Sequence, residues 1–329
     1  MIIQDIFSHE DRLRHYLGRA YDNKIAVEID KKTLLRLIPT NYPLDQAFID
    51  SHRKAEIDRL QEFNDFTKHY APSNEVVYLA LLRDINIDTK QYVITKAKPS
   101  GTYSNVILPF SWYRHTKHIP EVKLHDIPYL KKKSIAVWRG AITGKQKRSK
   151  FVSEYFNHSS TNIDVGFTRV PKLHSNKFEP LYKERLSIKE LLNYKYLISL
   201  EGNDTASNFA WIMSSNSILL QPKASTTSWF MQDRLIPWHH FIPLDSSPND
   251  LVKKIEWCEN NPTACFKIIE NKKKFINQFL DEKDKVSLIA KILDILRNNI
   301  TYIMDPNNGS YYLNFESIKH KQNIVIKSP

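Results

Sequence analysis

The stretch Lys195-Tyr-Leu-Ile-Ser-Leu-Glu-Gly-Asn-Asp-Thr-Ala-Ser-Asn208, with Phe209 to Gln221 behind it, sets the architecture of the chain. Tyr196–Leu200 is a short apolar run that reads as a buried strand, and Gly202 ends it. Ala206, Phe209, Ala210 and Met213 then recur at helical spacing, so Thr205–Ser215 reads as an amphipathic helix. Ser217–Gln221 is the next strand. Strand, loop, helix and strand in that order predict a parallel sheet covered by helices.

The same alternation extends both ways. Upstream lie a strand at Ile135–Trp138, a helix at Lys145–Phe156 and a strand at Ile163–Val165. Ser187-Ile-Lys-Glu190 is a capping box that should start a helix. Downstream, a strand at Phe241–Leu244 precedes helices near 249–260, 264–280 and 284–297, with Val286, Ile289, Ile292, Leu293 and Leu296 on one face of the last. The first seventy residues read as helical and polar, with Leu13, Leu17, Leu34, Leu35, Phe48, Ile57, Leu60 and Phe63 as apolar positions. Val76–Leu82 is a continuous apolar run that suits a buried strand, followed by shorter candidates at Tyr92–Ile94 and Val106–Pro109. The basic segment His115–Lys133, with Pro120 and Pro128, reads as the approach to a domain boundary. Residues 1–130, 131–282 and 283–329 are thus expected to form an N-terminal domain with a helical start, a Rossmann-like domain, and a C-terminal helix with a polar tail.

Composition narrows the function. A chain of 329 residues has room for two cores, and 41% hydrophobic residues can build them without staples. Its 7 glycines include no G-x-G-x-x-G and no G-x-x-x-x-G-K-[ST], which removes the dinucleotide fingerprint and the P-loop. Cys258 and Cys265 lack C-x-x-C spacing and further partners, which argues against a cysteine zinc site and fits a reducing compartment. The N-terminus shows no apolar h-region and the chain no bilayer-length apolar run, so the expectation is a cytoplasmic protein whose four sequons, at Asn157, Asn203, Asn299 and Asn308, carry no meaning. The net charge of +12, from 48 basic and 36 acidic residues, favours an anionic partner: nucleic acid, a membrane surface or a phosphorylated substrate.

Several residues could carry chemistry. Gly140, Gly166 and Gly202 each end an expected strand, where ligands of open α/β sheets bind, although an ordinary turn explains any one of them. Arg139, beside Gly140, and Arg148 have the fork geometry to grip a diphosphate, whereas Lys145, Lys147 and Lys150 read as a solvated helix face. Asp204, Thr205, Ala206, Ser207 and Asn208 lead into a helix whose free amides offer an anion site, and capping by Asp204 or Thr205 is compatible with it. Asp84 follows Arg83 at the end of a buried strand, a place for a general base or for a plain turn residue. His239 and His240, as neighbours in a strand, would point oppositely and could not chelate together, and His115 and His118 read as surface residues.

At these residues the chain resembles glycosyltransferase family 90. The resemblance rests on Ile135-Ala-Val-Trp-Arg-Gly140, Arg148, Lys195–Asp204 with Ala206-Ser-Asn208, Ser214-Ser-Asn-Ser-Ile-Leu-Leu220, Trp229-Phe230 and Leu235-Ile-Pro-Trp-His-His-Phe-Ile-Pro-Leu244. It spans about positions 76–280, and the motifs are specific as an ordered set rather than singly. The family holds capsule-associated xylosyltransferases, animal protein O-glucosyltransferases and bacterial lipopolysaccharide-modifying proteins; the chain looks most like the last. The resemblance implies an α/β, GT-B-like fold, two Rossmann-like domains facing each other across a cleft with a helical C-terminal segment. It also implies transfer from a nucleotide sugar, expected to be UDP-linked, without a metal or other cofactor, which fits the lack of a D-x-D motif. Arg83-Asp84 matches the step carrying the family's catalytic aspartate, Arg148 a donor-binding arginine, and Thr205–Asn208 the donor loop. Phe209 stands where the animal enzymes carry an arginine, so the phosphate grip there would fall to amides and Asn208.

The expectation is therefore an inverting hexosyl- or pentosyl-transferase adding glucose, xylose or a similar sugar to a cell-surface glycan such as lipopolysaccharide or capsule. It would work in the cytoplasm, with reversible contact between its basic clusters (Lys131-Lys-Lys133, Lys145–Lys150 and Lys272-Lys-Lys274) and an anionic membrane. A basic nucleic-acid-binding module would explain the charge but none of the motifs. A family member that binds glycan without catalysis is the other alternative.

Overall fold

The computed structural model describes residues 5–30, 37–84, 88–144, 146–160, 162–170, 175–245, 250–305, 307 and 320–327. The expected Leu34, Leu35 and Lys145 fall outside these residues, as do the sequon at Asn308 and much of the tail. The chain is an α/β protein of two compact units. One comprises residues 1–6, 113–226 and 232–280; the other comprises residues 7–112, 227–231 and 281–329.

The first unit is built on a five-stranded, wholly parallel sheet. Its strands, numbered here in chain order, are β1 (Lys133–Ala141), β2 (Ile163–Arg169), β3 (Tyr194–Ile198), β4 (Ile218–Gln221) and β5 (Ile242–Pro243). Their spatial order is β5-β4-β3-β1-β2. Ala136 pairs with Tyr196 and Trp138 with Val165. Because side chains alternate along a strand, Ala136 and Trp138 share a face with Tyr196 and Ile198. That face packs into a core with Val152 and Tyr155 of helix Lys147–Tyr155, Ile255 and Cys258 of helix Asp250–Asn260, and Cys265 and Ile268 of helix Pro262–Asn277. Both cysteines are free thiols inside this core.

The second unit is built on smaller sheets. Strand Leu79–Leu81 runs parallel to Ile94–Thr95, which runs parallel to Val106–Ile107, with Ile38–Pro39 antiparallel at the edge. A separate parallel sheet joins Ile25–Glu28, Ile300–Met304 and Ile324–Ile326. Helix Glu282–Asn299 starts on its N-cap Asp281 and buries Leu288, Ile289, Ile292, Leu293 and Leu296, side chains that contribute about 2 kcal/mol each.

Several sequence readings change. The first seventy residues include the strand Ile25–Glu28, which pairs with a segment nearly three hundred residues away. Such a partner leaves no local periodicity to read. The run Val76–Leu82 is buried throughout, yet its strand covers only Leu79–Leu81. The Ser187–Glu190 capping box is closed as expected, but the helix it starts, Ile188–Leu191, is one turn long. The C-terminal part is a helix followed by two strands, Ile300–Met304 and Ile324–Ile326. Among the described residues no helix is long and apolar enough to cross a membrane.

Candidate active site

In the first unit the chain order reverses between β1 and β3, neighbours from which successive strands run outward in opposite directions. At such a switch point the loops leaving the two carboxyl ends diverge and open a crevice, the usual ligand position in doubly wound sheets. The loop after β1 carries Thr143, Gly144 and, at the start of the next helix, Arg148; the loop after β3 carries Ser199 to Asn208.

These loops meet backbone to backbone at Gly144. Its φ of +84° is left-handed, and a Cβ there would lie 2.7 Å from Gly202 O and 2.8 Å from Glu201 O. Arg148 ties the same loops together. Its guanidinium donates to Leu200 O from Nε (3.2 Å) and Nη2 (2.8 Å), and from Nη1 to Ala141 O (3.2 Å) and Thr143 Oγ1 (2.8 Å). It also sits over the Trp138 ring, 5.6 Å from the centroid. No carboxylate forms an ion pair with it among the described residues. Burial lowers its pKa to about 10, with Asp204 pulling the other way. Arg148 is thus a desolvated cation compensated by carbonyl dipoles, with one N–H to spare.

Beside this junction a cavity of about 360 Å³ opens at the ends of β1, β2 and β3. Trp138, Arg139, Gly140, Thr168, Ser207, Asn208 and Trp211 line it, with Arg114, Lys117 and Arg185. No aspartate or glutamate is in the lining. Arg114, Lys117 and Arg185 are exposed, and none has an ion-pair partner among the described residues. Two indoles and the aliphatic Leu186, Ile188 and Leu191 complete the wall. Convergent free cations beside aromatic surface can hold an anion carrying a flat ring.

The structure divides the expected donor residues. Arg139, Gly140, Ser207 and Asn208 line this cavity, whereas Thr205 and Ala206 line a second one of about 330 Å³ at the ends of β3, β4 and β5. Arg148, Gly202 and Asp204 line neither. Arg139 proves fully occupied. It donates to both Asp164 carboxylate oxygens (2.9 and 2.8 Å), to Asp164 O and Trp138 O (3.0 and 3.1 Å) and to Glu184 O (3.0 Å). All five N–H groups have acceptors, so Arg139 buttresses the β1–β2 edge rather than offering a free fork to phosphate. Gly140 leaves room for the Trp138 indole, and Gly166 for the Lys183 stem.

The helix expected from Thr205 starts only at Phe209 and ends at Ser214. Neither Asp204 nor Thr205 is its cap; Asn208 holds that position without a capping bond. Asn208 is instead locked by two bonds, accepting from Ser199 Oγ (2.9 Å) and donating to Ile198 O (3.0 Å). Thr205–Asn208 is therefore loop, held at its end by the Asn208 side chain rather than by helical hydrogen bonds. Arg114, Lys117 and Arg185 escape a motif search. The only signals for them are the helical spacing of the first two and the place of Arg185 just ahead of the capping box.

Asp84 belongs to the second unit, beyond the carboxyl end of Leu79–Leu81. Its Oδ1 accepts from Arg59 Nη2 at 2.5 Å, and Lys96 Nζ lies 4.0 Å away. Arg59, 1% exposed, is itself held by Leu82 O and Ser111 Oγ, so it aims the carboxylate while 27% of the Asp84 side chain stays accessible. Trp229 also lies in this unit, stacked on Tyr16 with centroids 4.4 Å apart.

His239 and His240 require a correction. They lie in a turn, not a strand, and both Nε2 atoms reach Asp5 Oδ1, at 2.7 and 3.0 Å. This is a group of three possible metal ligands. Its hydrogen bonds describe something else. His240 Nδ1 accepts from Ile236 N and His239 Nδ1 from Asn271 Nδ2, so in each neutral ring the proton sits on Nε2 and is donated to Asp5. A ligand would need those Nε2 lone pairs, and the fixed backbone donor at Ile236 opposes the required tautomer.

A parallel α/β unit with a cation-lined crevice at its switch point belongs to the doubly wound class, whose ligands bind at that place. Residues 108–319 match the profile of Glycosyl transferase family 90, more than half of the chain, and the protein belongs to that family. O-glucosyltransferase LpsA of Dichelobacter nodosus is 32% identical over 189 residues, covering 57% of this chain and 56% of that one. Protein O-glucosyltransferase 2 of Danio rerio is 25% identical over 150 residues, 45% of this chain and 29% of the relative. Protein O-glucosyltransferase 3 of Homo sapiens is 24% identical over 106 residues, 32% and 21% of the two chains. The chain thus spans little more than half of the bacterial relative and less than a third of the animal ones.

Proposed function

We propose that the protein transfers a sugar from a nucleotide diphosphate donor to a glycan hydroxyl. The observation that carries this reading is the switch-point crevice: a cavity lined by Arg114, Lys117 and Arg185, none with an ion-pair partner among the described residues, beside the desolvated charge of Arg148. The nucleobase would lie against Trp138 and Trp211, with the diphosphate toward the cations and the Ser207–Asn208 loop. The relatives' names favour glucose, and UDP is the carrier we expect. A cell-surface glycan such as lipopolysaccharide is the acceptor we propose, reached at the cytoplasmic face of a membrane.

In this reading Asp84 takes the proton from the acceptor hydroxyl. The oxygen attacks the anomeric carbon, the bond to the diphosphate breaks, and configuration inverts in one displacement. Arg114, Lys117, Arg185 and Arg148 stabilise the departing charge, so no metal is required of the site. A GT-B-like fold, as implied by the family, is part of this proposal.

Calorimetry with UDP and a transfer assay test it. Asp84→Asn should cut turnover by at least about 10²-fold while leaving UDP affinity unchanged. Joint replacement of Arg114 and Arg185 by alanine should weaken UDP instead. Full turnover in Asp84→Asn would remove the base, and a UDP affinity indifferent to the arginines would move the donor elsewhere.

A further inference from the structure

The amino-terminal end of the five-stranded sheet carries a surface that the crevice does not use. β1 begins at Lys133, so the segment leading into it, Leu124 to Lys133, lies at that end. Helix Asp250–Asn260 follows β5, and the ion pair of its Glu259 with Lys195, at the start of β3, shows that it ends at the same place (2.9 Å). Helix Pro262–Asn277 starts there. Phe266 joins the two parts, its ring edge-on to Tyr129 with centroids 5.6 Å apart.

Three apolar side chains project from this end: Leu124 at 76% exposure, Leu130 at 65% and Phe266 at 41%. Scattered exposed apolar residues need no explanation, but these share one end of one unit and each has an exposed lysine beside it in the chain. The lysines are Lys123, Lys131 and Lys267, with Lys133 close by. Two nearby carboxylates are already engaged. Asp126 pairs with the interior Lys132, and Glu259 accepts from Lys195 and Tyr196. The first of these pairs closes the loop 126–132 with Lys132 turned inward, while Leu130 and Lys131 stay exposed. The two helices add exposed Glu256 and Glu270, fewer than the lysines.

Apolar tips ringed by ammonium groups match an anionic bilayer surface. The tips enter the boundary between headgroups and acyl chains, and the lysines meet the headgroup phosphates. A second copy of the chain would set like charge against like across a two-fold axis. A nucleic acid would take the lysines and leave the leucines in water. We propose that this end of the first unit docks on anionic lipid, with Leu124, Leu130 and Phe266 entering the interface. Lys150, on the helix that follows the other end of β1, is turned from the lipid in this orientation. Lys133 and Gly140 stand near opposite ends of β1, roughly 20 Å apart, so a docked protein keeps the crevice open to a soluble donor. Only that consequence rests on the proposed transfer reaction; the docking does not.

The test is co-sedimentation of the full chain with vesicles of phosphatidylcholine alone, and of phosphatidylcholine with about one third phosphatidylglycerol, at low salt. The parent should bind the anionic vesicles and not the neutral ones. Leu124→Ser combined with Leu130→Ser should weaken that binding about tenfold, and Lys131→Ser combined with Lys133→Ser by at least about as much. Lys150→Ser should leave it at the parental value. The leucine variant should melt with the parent, because both side chains are exposed, and should bind UDP equally well. A leucine variant that binds vesicles like the parent would overturn the surface, as would a Lys150→Ser change as costly as the Lys131 and Lys133 pair. A parental dimer that the leucine changes dissociate would also overturn it and assign the face to self-association. Docking as described by a protein that ignores UDP would uphold the surface and count against the nucleotide crevice alone.

Discussion

Single side chains here do work that their positions in the sequence disguise. Asp5, His239 and His240 form a small proton-sensitive network. Burial, with His239 beside it, pushes the His240 imidazole down to about 4. Burial works to raise Asp5, but hydrogen bonds from His239 and His240 hold it below the usual carboxylate range. In the unfolded chain His240 takes up a proton near pH 6.5, whereas in the folded chain it stays neutral until about pH 4. Its contribution is therefore complete above 6.5 and lost as pH falls towards 4, a change of about 3 kcal/mol. Asp5 adds to the loss only at lower pH. Urea midpoints measured at pH 8, 6 and 4.5 should fall with acidity, and His240→Gln should flatten that dependence while lowering stability at pH 8. An unchanged slope in the variant would assign the acid sensitivity to other groups.

At the scale of elements, the site depends on two loops held at van der Waals contact. Gly144 is the residue that permits this, and its place in the chain, inside Thr143-Gly-Lys145, has no motif to announce it. Gly144→Ala would force either an unfavourable φ or separation of the loops, at a cost of about 1–3 kcal/mol. We expect a lower urea midpoint together with weaker UDP binding, because the Arg148 bonds to Leu200 O and Ala141 O span the same junction. Loss of stability with unchanged UDP affinity would separate the loop contact from the donor site. The helix Phe209–Ser214 next to these loops has its own tertiary support. Lys272, with no exposed surface, donates to Ile212 O (2.6 Å), Met213 O (3.0 Å) and Ser215 O (2.6 Å), using all three ammonium protons on the carbonyls of that helix end.

For the molecule as a whole, net charge needs correction by burial. Of the runs Lys131-Lys-Lys133 and Lys272-Lys-Lys274, Lys132 and Lys272 are interior, and Lys132 is held by Leu192 O and paired with Asp126. Lys131, Lys133, Lys147, Lys150 and Lys274 stay exposed, enough for weak electrostatic docking at about 1 kcal/mol per residue near an anionic surface. Vesicles containing anionic lipid should sediment the protein at low salt and release it at about 0.5 M, where screening leaves a range of a few ångströms. Binding equal on neutral vesicles would dismiss electrostatic docking without touching the proposed transferase activity.

Much of the first unit is legible in the chain itself. Alternating apolar strands and amphipathic helices from Ile135 to Leu244 announce a parallel sheet because both periods are local, two residues and 3.6. Motif order likewise points to the family. Strand Ile25–Glu28 and the tail strands are not legible, since their partners are distant and their own runs too short to show a pattern. The site is legible only in outline. The Trp138-Arg-Gly and Glu201-Gly-Asn segments mark the carboxyl ends of β1 and β3, but a sequence cannot say where a guanidinium's bonds go. Arg139 is spent on Asp164, while Arg114 and Arg185, from stretches without a motif, line the cavity with no ion-pair partner among the described residues. That allocation depends on which groups fold within hydrogen-bond reach of one another, a property of three-dimensional packing and not of spacing along the chain.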